Sequence, residues 1–402
     1  MSVDVLILNS LVIDLRTAKF DFTNRLAGPG GLAKCRVEEM PDYSQEQIKA
    51  WIDQGNATAG GPGNTAPLMA TAGLRVAVGG NVGRGEYGGL DAQGRAVCDI
   101  LHASGVDVTA LLEHPTLPTG TTFLDSAPGD ERGGITYFPN ANEDFDFEKF
   151  KPHVERLQPK VVYYMYSGLS KRGDANEGRD LAEFIRWCRN LDCLTIVDSH
   201  TLTANPAEVI RAGTPIEEYH LLDSLLPELD IFFTSSDEAR LILNTLDAPR
   251  DWGETSDQEA LAEYLEYSCE RFGGMGRAQL FGATFGHGAC ATYLPHDGSP
   301  REPVTAVSRF RLGEAVELTG AGDAFRAGLL TYLVRNVDAF HADGLDVNEA
   351  LQVGNLTAAL YLTAPLENRY SNLRPYEALL RAIRHEQGYG SFNELMQVLD
   401  GA

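Results

Sequence analysis

Glu317-Leu318-Thr319-Gly320-Ala321-Gly322-Asp323-Ala324-Phe325 is the stretch around which the rest of the chain is organised. Its three small residues, Gly320, Ala321 and Gly322, stand directly before an apolar run from Ala324 to Val334 that only Arg326 and Thr331 interrupt. Such a run suits a helix buried on most of its faces. A glycine-rich turn opening a buried helix leaves the first backbone N–H groups without intrahelical partners, with the positive end of the helix dipole behind them. That end suits an anion. Asp323 falls at the same end, where a carboxylate is electrostatically favoured. An anion-binding turn beside a proton-accepting carboxylate is what phosphoryl transfer to a hydroxyl requires. Taken alone, the same Gly-x-Gly-Asp is also a plain loop–helix junction with Asp323 as its cap.

The chain around this stretch has 402 residues, enough for two or three ordinary domains or one large α/β domain with insertions. Its net charge of −24 argues against nucleic-acid and anionic-membrane partners, which require basic surfaces. An anionic nucleotide would need local positive groups and backbone dipoles to offset that field. Six cysteines (35, 98, 188, 193, 269 and 290) are scattered without a C-x-x-C pair, the pattern of reduced thiols. With no basic leader and no apolar run of spanning length, the expectation is a soluble cytoplasmic protein.

Val5-Leu6-Ile7-Leu8 is a short continuous apolar run, as in a parallel strand covered on both faces. Residues 16–58 are the least readable. Gly28-Pro29-Gly30-Gly31 is turn material, and Ser44 to Gln54 reads as a helix capped by Ser44. Ala59 to Ala66 contains a glycine-rich loop, Gly60-Gly61-Pro62-Gly63, followed by Asn64, with no clear strand before it. Leu74 to Val78 reads as a strand, Gly79-Gly80-Asn81-Val82-Gly83 as the turn after it, and Ala92 to Ser104 as a helix. Thr119–Leu124 and Gly134–Phe138 form a hairpin pattern around Pro128-Gly129-Asp130. From Val161 onward strands (161–166, 194–197, 231–234, 278–281) alternate with helices (177–191, 237–246). That rhythm predicts a mainly parallel sheet with helices on both faces and a site at the carboxyl ends of its strands. Asp198, Ser235, Glu238, Thr284 and Asp323 all fall there.

The segment Thr319 to Phe325 resembles the signature of the ribokinase-like (PfkB-type) sugar kinase family, Asp-Thr-x-Gly-Ala-Gly-Asp-x-Phe, with Glu317 in place of the leading Asp. The resemblance runs through nearly the whole chain in order. It implies a three-layer α/β/α domain (1–14, 59–115 and 139–402) and a small β-sheet lid with an insertion (15–58 and 116–138). It further implies Asp323 as catalytic base and the backbone of Gly320, Ala321 and Gly322 as anion hole. Asp14, Gly60, Gly61 and Asn64 would bind a sugar. Ser235, Thr284, Gly286, Thr319 and Asn355 would bind ATP, and Glu238 with Glu317 would serve Mg2+. A monovalent cation is a further candidate. Departures lie at Glu317, at Ser235 where the family has Asn, in the shortened 284–289 loop, and at 364–368. For Glu238 the plainer reading is a helix N-terminus enriched in acids, and for Asp14 an Asp closing a strand. His287 is a bystander in its loop.

The expected activity is ATP-dependent phosphorylation of a sugar hydroxyl. A nucleoside kinase is the alternative, with Phe20, Phe22, Tyr137 and Phe138 available to a purine, and a non-catalytic sugar- or nucleotide-binding regulator is a third reading. The resemblance also implies a homodimer through the lid.

Overall fold

The computed structural model describes residues 2–16, 27–124, 133–253, 255–274, 276–385 and 388–401, which form two sheets. The larger has nine strands, starting with Val304–Val307, Gly288–Leu294, Gln279–Phe285, Ile231–Ser235 and Leu194–Ser199. It continues with Val161–Ser167, Val5–Leu8, Val76–Tyr87 and Asp107–His114. From Gln279–Phe285 onward every neighbouring pair is parallel, and the two strands at the other end are antiparallel. The continuous apolar strands follow from burial on both faces. In Val5–Leu8, Val5 and Ile7 join one core while Leu6 and Leu8 join another. The first core lies under helices Pro62–Thr71, Ala321–Arg335 and Val347–Leu362. The second lies under Phe147–Leu157, Arg179–Arg189, Ser236–Leu246 and Asp257–Phe272. The result is the expected helix–sheet–helix arrangement.

A five-stranded second sheet has the order Leu32–Lys34, Ile135–Phe138, Gly120–Leu124, Val12–Arg16, Ala57–Gly60. The chain changes sheets at Asn9 and Ser10, whose φ angles of +75° and +50° reverse its direction. The second sheet therefore begins at Val12, and Asp14 sits inside a strand instead of closing the first one. Side chains alternate along Gly120–Leu124: Thr122 and Leu124 face the site, while Phe123 packs the other way. That reverse face is covered by residues of the insertion. Helix Gln45–Asp53 is capped by Ser44, whose hydroxyl accepts from the Gln47 N–H, and it buries Ile48. Tyr43 stands with its ring 4.6 Å from Trp51 and 6.2 Å from Phe123.

Two local expectations are corrected. Gly79 to Gly83 is not a turn but the middle of strand Val76–Tyr87, paired with Val5–Leu8 on one side and Asp107–His114 on the other. The glycines are there for space: a Cβ on Gly79 would lie 2.7 Å from the Leu8 side chain. A strand, Ala57–Gly60, does precede the glycine-rich loop. The Pro128-Gly129-Asp130 turn and Phe20 and Phe22 lie outside the described residues.

Candidate active site

Helix Ala321–Arg335 is buried on nearly every side, between Pro62–Thr71 and Val347–Leu362. Gly320 precedes it with φ +86°, and a Cβ there would come within 2.5 Å of the Tyr361 hydroxyl, so only glycine fits. No side chain caps this end. The Ala321 N–H donates to the Leu318 carbonyl at 3.2 Å, which removes it from the expected anion hole and leaves that role to its neighbours.

The turn separates two cavities. One, of about 140 Å³, lies between the sheets and is reached by Asp14, Gly61, Asn64, Thr319, Gly320 and Asp323. The other is a wider groove of about 900 Å³, which takes in Gly286 and Asn355. Ser235, Thr284, Leu318, Ala321 and Gly322 line both, so the turn and the ends of two strands form the shared wall. Two predicted residues reach neither. Gly60 lies against Asp14, where a Cβ would sit 2.4 Å from the carboxylate. The Glu317 carboxylate accepts from Arg16 Nε at 2.8 Å, a buried ion pair.

Asp323 is only 6% exposed and is held from three sides. Its Oδ1 accepts from the Tyr166 hydroxyl at 2.5 Å and from Arg326 Nη2 at 3.2 Å. Its Oδ2 accepts only the longer 3.3 Å bond from Asn64 Nδ2, leaving lone-pair capacity on that oxygen. The Asn64 amide is itself fixed, because its Oδ1 accepts from the Tyr361 hydroxyl at 3.2 Å. Oδ2 is therefore the atom free to take a proton from a molecule in the first cavity. Behind it, Arg326 Nε lies 2.8 Å from Asp198 Oδ2, which also accepts from the Tyr163 hydroxyl at 2.8 Å. Burial pushes the Asp198 carboxyl up to about 7 against the pull of Arg326.

Tyr166 and Arg326 were not among the expected site residues, whereas Asp198 was one of the strand-end residues expected to gather there. Arg326 had left a signal, as the one charge in the apolar run Ala324 to Val334. Tyr166 had left none: it ends an apolar strand with φ +59°, a strained conformation that the sequence does not disclose.

At the far wall Ser235 caps helix Ser236–Leu246, and Glu238 completes the reciprocal cap. Glu238 Oε2 accepts from the Thr234 hydroxyl at 2.5 Å and from the Ser235 N–H at 2.9 Å. Oε1 accepts only from Thr201, at 3.3 Å, and the residue lines the first cavity. One partly free carboxylate oxygen suits the water shell of Mg2+ and not direct ligation. Among the described residues no cluster of three or more His, Cys, Asp or Glu is placed to hold a metal. Gly286 and His287 form the hairpin turn between Gln279–Phe285 and Gly288–Leu294, and Asn355 Nδ2 donates to the Ala306 carbonyl at 3.0 Å.

Asp14 is buried, accepts from the Thr122 hydroxyl, and has its carboxyl pushed up to about 7, chiefly by burial. The folded chain thus keeps a proton there that the unfolded chain releases near the ordinary value of 3.8. The stabilisation is complete below that value and fades as pH rises toward about 7. Asp14→Asn cannot titrate, so the fall in its urea midpoint between about pH 4 and pH 7 should be shallower than in the wild type. Equal slopes in the two proteins would remove Asp14 from this account.

A family model described as pfkB family carbohydrate kinase matches residues 39–369. No curated protein matches the chain. Among solved structures, a probable sugar kinase from Rhizobium etli CFN 42 is 19% identical with a TM-score of 0.61, covering 96% of this chain and 98% of that one. A fructokinase with bound ATP from Xylella fastidiosa is 18% identical with a TM-score of 0.61, over 94% and 97%. An adenosine kinase from Sinorhizobium meliloti is 20% identical with a TM-score of 0.59, over 92% and 98%. At these identities the structures establish a shared fold.

Proposed function

Because the chain belongs to the pfkB family of carbohydrate kinases, we propose that it transfers the γ-phosphoryl group of ATP to a sugar hydroxyl held in the smaller cavity. One observation carries this reading: Leu318, Ala321 and Gly322 of the turn form a wall common to both cavities, while Asp323 opens only into the smaller one. An acceptor hydroxyl between Asp323 Oδ2 and the turn loses its proton to that oxygen as it attacks. The unpaired N–H groups at the helix start meet the charge that develops on the transferred group. ATP lies in the wider groove, along Thr284, Gly286 and Asn355. Mg2+, when bound, screens the phosphate charge, and Glu238 holds its water shell; Glu317, paired with Arg16, is withdrawn from that role. The six free cysteines accord with a reducing, cytoplasmic setting. Among the described residues no helix is long and apolar enough to cross a membrane.

A nucleoside acceptor is favoured as second reading by the cavity lining. Leu32, Leu124, Ile135 and Leu169 give the smaller cavity an apolar side that a bare sugar would not use and a base would. ATP consumption measured against a panel of free sugars and nucleosides decides between them. Transfer to neither, with ATP binding intact, would overturn both and leave the regulator.

Glu238→Gln should raise the Mg2+ concentration for half-maximal rate and leave the acceptor KM unchanged. An unaltered Mg2+ dependence, with only a loss of about 1 kcal/mol in stability, would make Glu238 a helix cap and nothing more. A homodimer would form through the 15–58 and 116–138 segments, which contribute strands to the second sheet. Light scattering giving a monomer mass would exclude it.

A further inference from the structure

The resemblance makes a monovalent cation an expectation, with a departure in the 364–368 loop just before Arg369, and the groups between that loop and Glu317 do not fit one. Both oxygen-bearing groups of Glu317 are already taken by cations of the chain. Arg16 holds the carboxylate through Nε at 2.8 Å and Nη2 at 3.2 Å. Arg369 Nη2 donates to the Glu317 carbonyl at 2.9 Å. The two arginines are 4% and 2% exposed. Arg369 Nε and Nη1 have no hydrogen-bond partner among the described residues, which is costly for a buried charge. Its guanidinium lies 4.1 Å from the centre of the Tyr361 ring. The Tyr361 hydroxyl is the group that a Cβ on Gly320 would meet at 2.5 Å, and it donates to Asn64, which bonds Asp323. Among the described residues, a buried positive charge held by a carbonyl and by the Tyr361 side chain therefore stands behind the turn.

We propose that Arg369, with Arg16 fixing Glu317, supplies the positive charge that a monovalent cation would otherwise bring to this turn, so that the reaction needs no added K+ or Na+. This rests on the kinase reading above. Arg369 touches no reacting atom; it acts through the turn, by field and by holding Tyr361 in place. A fixed buried charge is poorly screened by salt, which makes it a constant part of the site.

The test compares kcat and KM for ATP in KCl and in tetramethylammonium chloride at equal ionic strength, together with the thermal midpoint of the nucleotide-free protein in both salts. The wild type should behave alike in the two. Arg369→Ala should lose about tenfold or more in kcat/KM for ATP and regain part of it with methylguanidinium. Arg369→Lys, which keeps the charge without the planar fork, should lose less, and it carries the comparison if the alanine variant does not fold. Turnover or thermal stability of the wild type that rises specifically with K+ overturns the proposal, as does an Arg369→Ala variant with unchanged ATP parameters. Absence of turnover in either salt with every acceptor would instead remove the kinase reading. The thermal midpoints would then still decide whether a K+ site exists.

Discussion

Asp323→Asn should lower kcat by a factor of about 10² to 10⁴ while ATP still binds. The substitution keeps the shape of the side chain and removes its basicity. Its oxygen can still accept from Tyr166 and Arg326 in the place of Oδ1. Its amide nitrogen then faces the Asn64 Nδ2 donor, and Asn64 cannot turn to oblige because Tyr361 holds its carbonyl. A modest loss of stability is therefore expected beside the large loss of rate. The proposed anion hole consists of main-chain N–H groups that the substitution leaves in place, so ATP affinity measured by calorimetry should persist. Near-normal kcat on the true acceptor would show that Asp323 is not the base. A variant that failed to fold would make Asp323 a structural partner of Tyr166 and Arg326, since no side chain caps this helix.

Arg326→Met should be the more damaging substitution for the fold. Arg326 is 7% exposed and lies within ion-pair distance of both Asp198 and Asp323, at 2.8 and 3.2 Å. Removing one partner of a buried charged set typically costs about 3–5 kcal/mol, because the remaining charges stay buried and uncompensated. Here two carboxylates would be left facing each other across the volume the guanidinium had filled. Like charges at such range favour the protonated acid. The acid limb of the pH–rate profile should accordingly move to higher pH, a change that simple loss of packing would not produce. Arg326→Lys, with its charge kept, should restore the profile more than the stability, since a single ammonium cannot span both carboxylates as the planar fork does. An Arg326→Met variant with unaltered urea midpoint and unaltered profile would dissolve the network.

What the chain disclosed in advance was whatever its own neighbourhood decides. Val5–Leu8, the Ser44 cap and helix Ala92–Ala103 all depend on residues a few positions away, and the structure contains each of them. The Gly320–Asp323 turn was legible for the same reason. The glycines of 79–83 misled because glycine signals a turn unless a neighbouring strand packs closely enough to need its missing side chain. Glu317 misled because its partner, Arg16, stands 301 residues away. No local pattern could have shown that the carboxylate was already taken. Tyr166 went unseen because a strand-end tyrosine becomes a site residue only through a backbone twist and a partner on a distant helix.

The second sheet also bears on how the protein is made. Its central neighbours, Val12–Arg16 and Gly120–Leu124, run side by side, and Asp14 meets Thr122 across 108 residues of chain. Joining them closes a loop whose entropy cost falls once strand Val76–Tyr87 has paired with Val5–Leu8 and Asp107–His114 with Val76–Tyr87. On a ribosome, Asp14 finds its strand partner only after residue 124 has followed it out. Asp323, the residue it faces across the cavity, comes two hundred residues later still. No nascent fragment short of the Ala321–Arg335 helix can close the wall of the smaller cavity.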